Sequence, residues 1–320
     1  MERWRALSSG VLETAATVFL LLIAVRRFHA GPFAKAMIAG GGSLGLILAP
    51  WLVSVVKASG WTSARTAASL AAVGAATFLV MAVVPVLPVY VAGCVLAMTA
   101  SAAMIPLLTQ MYQENYPENG RGRLFARTMM IRIAAAAVFS HVAGAALSGN
   151  IERFQFLLVI FAAASALGSF CLARCPTLPI RAERGDGTHP FRALRFFRED
   201  RLFRQTIIAW MFLGFAMLMI SPLRVEYLAN PRYGVRWQGE LLTAGIVALL
   251  TGVIPNLARL VLNPFWGWLF DRMNFFKLRL TLNLGFALGI VSFFATGSAV
   301  GLVIGGILFG VANAGADVAW

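Results

Sequence analysis

Residues 66–113 read TAASLAAVGAATFLVMAVVPVLPVYVAGCVLAMTASAAMIPLLTQMYQ, 48 positions without one Asp, Glu, Lys or Arg. That is more than twice the roughly 20 apolar residues a helix needs to cross a bilayer core of about 30 Å. Pro85 and Pro88 divide the run, because proline lacks the N–H of a helix interior and its ring clashes with the preceding turn. The stretch therefore predicts two spans, near residues 66–84 and 89–111. It has no strict apolar–polar alternation, so barrel strands are excluded. Only helices then satisfy the backbone inside lipid.

The same reading carries outward in both directions. Residues 7–25 are interrupted only by Glu13, and 36–56, 133–151 and 154–173 are free of charge. Further on, 205–223 is apolar, 241–270 holds the single charge Arg259 with Pro255 and Pro264, and 280–316 is divided at Thr296-Gly297-Ser298. The sum is ten spans. Hydrophobic residues make up 59% of the 320 and charged residues 12%, half the roughly 25% of a soluble domain. Mean hydropathy is +0.78. The expected fold class is all-α and integral to the membrane. The first apolar run is followed by Arg26, Arg27 and Phe28, with no small-x-small cleavage site, so it reads as a retained helix.

Net charge is +14, but no basic patch lies on a soluble segment, and nucleic acid is excluded as a partner. Basic residues collect instead in loops on one side. With the N-terminus inside, 18 Lys and Arg fall in inside segments, 7 outside (Arg224 among them), and Arg132 and Arg259 within spans. This bias predicts a cytoplasmic N-terminus. Eight arginines crowd residues 174–204. Within it, residues 189–204 alternate Phe191, Leu194, Phe197 and Phe203 with arginines, the pattern of an amphipathic helix on an anionic membrane surface. Three parts are expected: a six-helix bundle over 1–175, an arginine-rich cytoplasmic linker over 176–203, and an incomplete four-helix bundle over 204–320.

The two halves share a spacing. Pro50 to Arg65 and Pro264 to Arg279 are both 15 residues, at an offset of 214. Six-plus-six symmetry places these junctions opposite each other. Carried forward, it sets Trp320 opposite Pro106 and predicts about 70 further residues, two more spans, beyond it.

The second junction reads Gly267-Trp268-Leu269-Phe270-Asp271-Arg272-Met273-Asn274-Phe275-Phe276-Lys277-Leu278-Arg279. It resembles the signature loop of the major facilitator superfamily: Gly-x-x-x-Asp-Arg, then basic residues a turn or so later. The resemblance implies a two-bundle helical transporter with about 10 of 12 spans present, and a gating motif of Gly267, Asp271, Arg272, Lys277 and Arg279. The first-half copy departs from it, with Lys57 opposite Asp271 and Ala58 opposite Arg272. The loop Tyr112 to Pro117 followed by Arg121-Gly122-Arg123 is similar to the Arg-Gly loop of many members, and Glu114 is expected to pair with Arg121 or Arg123 there.

Ionisable groups inside a span are functional candidates by default. Glu13 is a candidate coupling carboxylate, or an interface residue paired with Arg3 or Arg5. Arg132 and His141 lie nine residues apart in the fifth span. Arg259 stands 12 residues before Asp271, about 18 Å along a helix and so near the midplane. Asn256 and Asn263 flank it at i−3 and i+4 on one face. Asn313 and Asp317 share a face of the tenth span. An amide-lined arginine points to an anionic or polyhydroxylated substrate. The alternative is a buried ion pair of Arg259 with Asp317 or Glu13.

Other readings fail. Gly40-x-Gly42-x-x-Gly45 has the letters of a dinucleotide fingerprint but lies mid-span with no preceding strand. Gly41 and Gly45 make a small-residue packing face instead. Cys94, Cys171 and Cys175 form neither a disulfide framework nor a metal set. No P-loop, HExxH or GxSxG occurs, and no cofactor, metal or enzymatic chemistry is expected. The functional expectation is a monomeric secondary transporter of a small solute, coupled to H⁺ or Na⁺, in a bacterial inner membrane. A non-transporting sensor or assembly factor on the same fold is the second reading.

Overall fold

The computed structural model describes residues 1–117, 121–179, 194–237, 239–270, 272–295 and 298–319. Among these, ten helices are long and apolar enough to cross a membrane. They are α1 (Glu2–Arg26), α2 (Pro32–Ser59), α3 (Ser63–Val83), α4 (Leu87–Asn115) and α5 (Arg121–Gly149). After these come α6 (Phe154–Ala173), α7 (Arg201–Ala229), α8 (Ala244–Phe270), α9 (Phe275–Ala295) and α10 (Ala299–Ala319). The protein is all-α and integral to the membrane. The division at Pro85 and Pro88 holds: α3 ends at Val83 and α4 begins at Leu87 with Pro88 in its first turn, where a missing N–H costs nothing. Gly60, at φ 68°, closes α2, and the Thr62 hydroxyl accepts the Arg65 N–H at the start of α3.

The chain forms two compact units that do not follow its halves. One holds Met1–Ser9, Gly31–Thr128 and Leu158–Met219; the other holds Gly10–Ala30, Met129–Leu157 and Ile220–Trp320.

In the first unit α2 packs on α4 and α3 on α4. A Cβ on Gly45 would stand 2.3 Å from the Thr99 carbonyl oxygen, and one on Gly41 3.0 Å from Val95 Cα. Larger side chains would push the helices apart, which is the packing role expected of this pair. Gly40 and Gly42 face open space. Helix α6 is tied to α3 by Ser165 and Ser169, whose hydroxyls donate to the Ala71 and Ala68 carbonyls at 2.7 Å each.

In the second unit α10 packs on both α8 and α9. The approach to α8 is close: a Cβ on Gly310 would fall 2.4 Å from the Pro255 carbonyl oxygen. Two π-helical turns interrupt otherwise α-helical spans, Ala15–Phe19 in α1 and Leu249–Val253 in α8. A Cβ on Gly252 would lie 3.4 Å from Val18 Cγ2, so the two turns meet. Such turns re-aim the residues beside them and recur at functional sites.

Two expectations change at the boundary of α7. The helix runs six residues past position 223, to Ala229, and Arg224, counted above with outside loop residues, is buried within it. The apolar pattern of Val225, Leu228 and Ala229 keeps the helix going until Asn230-Pro231 stops it. Ahead of α7, the surface helix expected over 189–204 is seen as a short helix, Leu194–Glu199, that breaks at Asp200. Asp200 caps α7, its Oδ1 accepting the Phe203 N–H at 3.0 Å. Residues 180–193 lie outside the described residues.

Candidate functional site: a buried charge network

Four of the charges read as intramembrane candidates converge in the second unit. Glu13 sits on α1 just before its π-helical turn, Arg132 on α5, Arg259 on α8 six residues after its own π-helical turn ends at Val253, and Asp317 near the end of α10. Arg259 is at the centre. Its Nε and Nη2 form a two-pronged fork on the Asp317 carboxylate, with Nη2 donating to Oδ1 at 2.7 Å and Nε donating to Oδ2. Its Nη1 donates to Glu13 Oε1 at 2.5 Å and to Asn256 Oδ1 at 3.3 Å. Arg132 Nε lies 2.9 Å from Glu13 Oε2. That contact is an ion pair without hydrogen-bond alignment, since neither atom makes a hydrogen bond.

The side chains of Arg259, Asp317 and Glu13 are 10%, 15% and 19% exposed. Water is thus largely excluded, and charge-assisted bonds of this kind are about twice as strong as neutral ones. Two guanidinium ions and two carboxylates balance to zero. This is how a membrane interior tolerates such charges, and it realises the buried-pair reading of Arg259 with both named partners at once. Glu13 does not pair with Arg5, which instead holds Glu2 through Nε at 3.0 Å and Nη2 at 2.6 Å and donates to the Tyr112 hydroxyl.

The remaining candidates divide. Asn256 joins the network, whereas Asn313 spends its amide on the Phe309 carbonyl at 2.9 Å, an ordinary bond within α10. Asn263 is half-buried on α8 and stands outside the network. His141 is exposed on α5 and stands outside the network. Of the signature loop, Asp271 lies outside the described residues. Arg272 is exposed and stacks over Trp268, 4.3 Å from the ring centroid; Lys277 is exposed, Gly267 half-buried and Arg279 buried. Glu114 does not pair with Arg123, which is exposed. It accepts from Gln110 Nε2 at 2.9 Å and from the Leu178 N–H at 3.4 Å. The side chain of Arg121 lies outside the described residues.

Two features were not read as sites from sequence. The first unit holds a cavity of about 240 Å³ lined by Glu2, Arg5, Tyr112, Tyr116 and Cys175 among others. Burial pushes the Tyr116 phenol and the Cys175 thiol up from their ordinary values. The second is Arg224, 3% exposed, whose guanidinium lies over the Phe293 and Phe309 rings at 4.7 and 4.0 Å from their centroids. The stop signal at Asn230-Pro231 is the cue that would have placed it inside a helix.

No protein-family model matches the sequence, and no curated protein matches it. Solved structures do. The nucleoside transporter NupG aligns over 99% of this chain and 80% of its own, with a TM-score of 0.73 in a mutant form and 14% identity. A bacterial homolog of the human lysosomal transporter Spinster, inward-facing and occupied, aligns over 99% and 70%, with a TM-score of 0.64 and 12% identity. A POT-family transporter bound to a thioalcohol-conjugated peptide aligns over 99% and 80%, with a TM-score of 0.60 and 14% identity. The chain therefore has the major facilitator fold.

Proposed function

We propose that this protein is a secondary active transporter of a small polar solute, coupled to protons through the Glu13–Arg132–Arg259–Asp317 network. One observation carries the reading: Arg259, in the second half of the sequence, holds Glu13 of the first half and Asp317 of the second at the same time. A proton arriving on Glu13 removes its charge and with it the attraction to Arg259 and Arg132. The link between the halves then weakens, which is what a coupling ion must achieve for alternating access. No nucleotide-binding segment is present in the sequence to supply energy otherwise.

The fold supports the transporter class, and the structures it resembles are named as transporters of nucleosides and peptides. Of the two substrate chemistries read from sequence, the polyhydroxylated one is favoured at this site. The donors of Arg259 that make hydrogen bonds are engaged by Asp317, Glu13 and Asn256, which leaves neutral amide groups to meet hydroxyls. The proposal includes the two sequence halves as the moving bundles and a cytoplasmic N-terminus in a bacterial inner membrane.

The test is uptake into proteoliposomes carrying the full-length protein, across nucleosides, pentoses and dipeptides, with and without an acid-outside gradient. The expected result is gradient-accelerated uptake of one class. Glu13→Gln should lose the acceleration, by about tenfold or more, while retaining solute exchange at equal pH. Absence of flux for every class would sink the transporter reading. Acceleration that survives Glu13→Gln would sink the coupling role.

A further inference from the structure

Arg224 is a buried charge that the network does not absorb. It is 3% exposed, yet its Nε and Nη2 have no hydrogen-bond partner among the described residues. Those two nitrogens are the same edge with which Arg259 grips Asp317. The edge presents two parallel N–H donors matched to the two oxygens of a carboxylate. Phe293 and Phe309 lie under the guanidinium. Cation–π contact stabilises the charge through the ring faces, but it leaves the two donors unmet. A buried charge without a hydrogen-bonded counter-ion is destabilising, and an anion that supplies the acceptors relieves it.

The surroundings are built rather than loose. The Phe293 backbone stands against Gly305, where a Cβ would come within 2.7 Å, and the Phe309 backbone against Gly289, within 2.9 Å. The two rings are thus seated by close contact of α9 with α10. Tyr227 and Phe294 pack edge-on beside them, with ring centroids 5.3 Å apart. Arg224 is five residues from the end of α7 at Ala229, about 8 Å along the helix. Phe309 and Asp317 are eight residues apart on α10, about 12 Å. The Arg224 edge and the charge network are therefore separate places on the same unit.

We propose that Arg224 is the anchor of a binding site for a small carboxylate with a flat or apolar body. The carboxylate oxygens would accept from Nε and Nη2, and the body would rest against the phenyl rings. One negative charge balances one guanidinium, whereas a phosphate dianion would carry an excess charge into an apolar nest. The ring walls offer little to a hydroxylated body, which separates this site from the solute chemistry assigned to the Arg259 site.

The experiment is thermal unfolding of the purified full-length protein titrated with sodium benzoate, sodium acetate and inorganic phosphate, against sodium chloride at matched ionic strength. Saturable stabilisation by benzoate, stronger than by acetate, is expected. Arg224→Met should weaken the benzoate response by at least about tenfold, since two charge-assisted bonds are lost. Arg224→Lys retains the charge but not the fork and should also lose most of the response. A benzoate response unchanged in Arg224→Met overturns the site, as does no saturable response in the parent. A response to phosphate alone overturns the carboxylate assignment. None of these readouts depends on transport, so they stand apart from the uptake test.

Discussion

Arg259 and Arg224 are both buried arginines in the second unit, and they differ in one respect. Arg259 uses its Nε–Nη2 edge to hold Asp317 and its other nitrogen to hold Glu13. The same edge of Arg224 meets no acceptor among the described residues and relies on two aromatic rings. The first guanidinium is a structural cross-link whose removal strands two carboxylates. The second is a charge whose removal strands nothing. Burial of a cation is thus not a measure of what it contributes; the identity of its partners is.

The largest test of this contrast is stability. Arg259→Met should destabilise by about 3–5 kcal/mol, because Glu13 and Asp317 would remain buried without their cation. Arg224→Met should leave stability within about 1 kcal/mol of the parent or raise it, since replacing an incompletely paired buried charge with an apolar side chain of similar size is neutral or favourable. Thermal or denaturant unfolding of the two variants measures both. Equal losses would end the comparison.

Gly305→Ala sharpens it from the packing side. The added methyl would press on the Phe293 backbone at 2.7 Å and part α9 from α10, for a loss of about 1–3 kcal/mol. Its effect should fall on benzoate binding and spare the Arg259 network, which a pH-gradient uptake assay reads separately. The smallest effect is expected for Arg132→Gln. Arg132 is 30% exposed and touches Glu13 only as an unaligned ion pair, so about 0.5–1 kcal/mol is at stake after screening by solvent. A loss as large as that of Arg259→Met would place Arg132, rather than Arg259, at the centre of the network.

The two arginines were not equally legible. Arg259 stands alone in a long apolar run with amides at i−3 and i+4, so its interest and its candidate partners could be read from spacing. That Glu13, 246 residues away, and Asp317, 58 residues away, bind it together could not, because three helices must be placed before the distances exist. Arg224 is not legible as a buried residue because, in sequence, a charge marks the end of a span. Here the helix continues to a better stop at Asn230-Pro231, and the tertiary fold buries the charge. The paired π-helical turns have no sequence signature at all. They lie where Val18 and Gly252 meet.

What the sequence determined by itself is the set of helices. Crossing lipid is a local requirement on some 20 consecutive residues, and prolines and charges mark its limits, so ten spans follow without knowledge of any neighbour. What only the tertiary structure decided is which charges meet. An ion pair depends on the separation of residues far apart in the chain, and the energy of a buried charge turns on a few ångströms and on the angle of each donor. Glu13, Arg132, Arg259 and Asp317 became one network, and Arg224 a different kind of site, through helix packing alone.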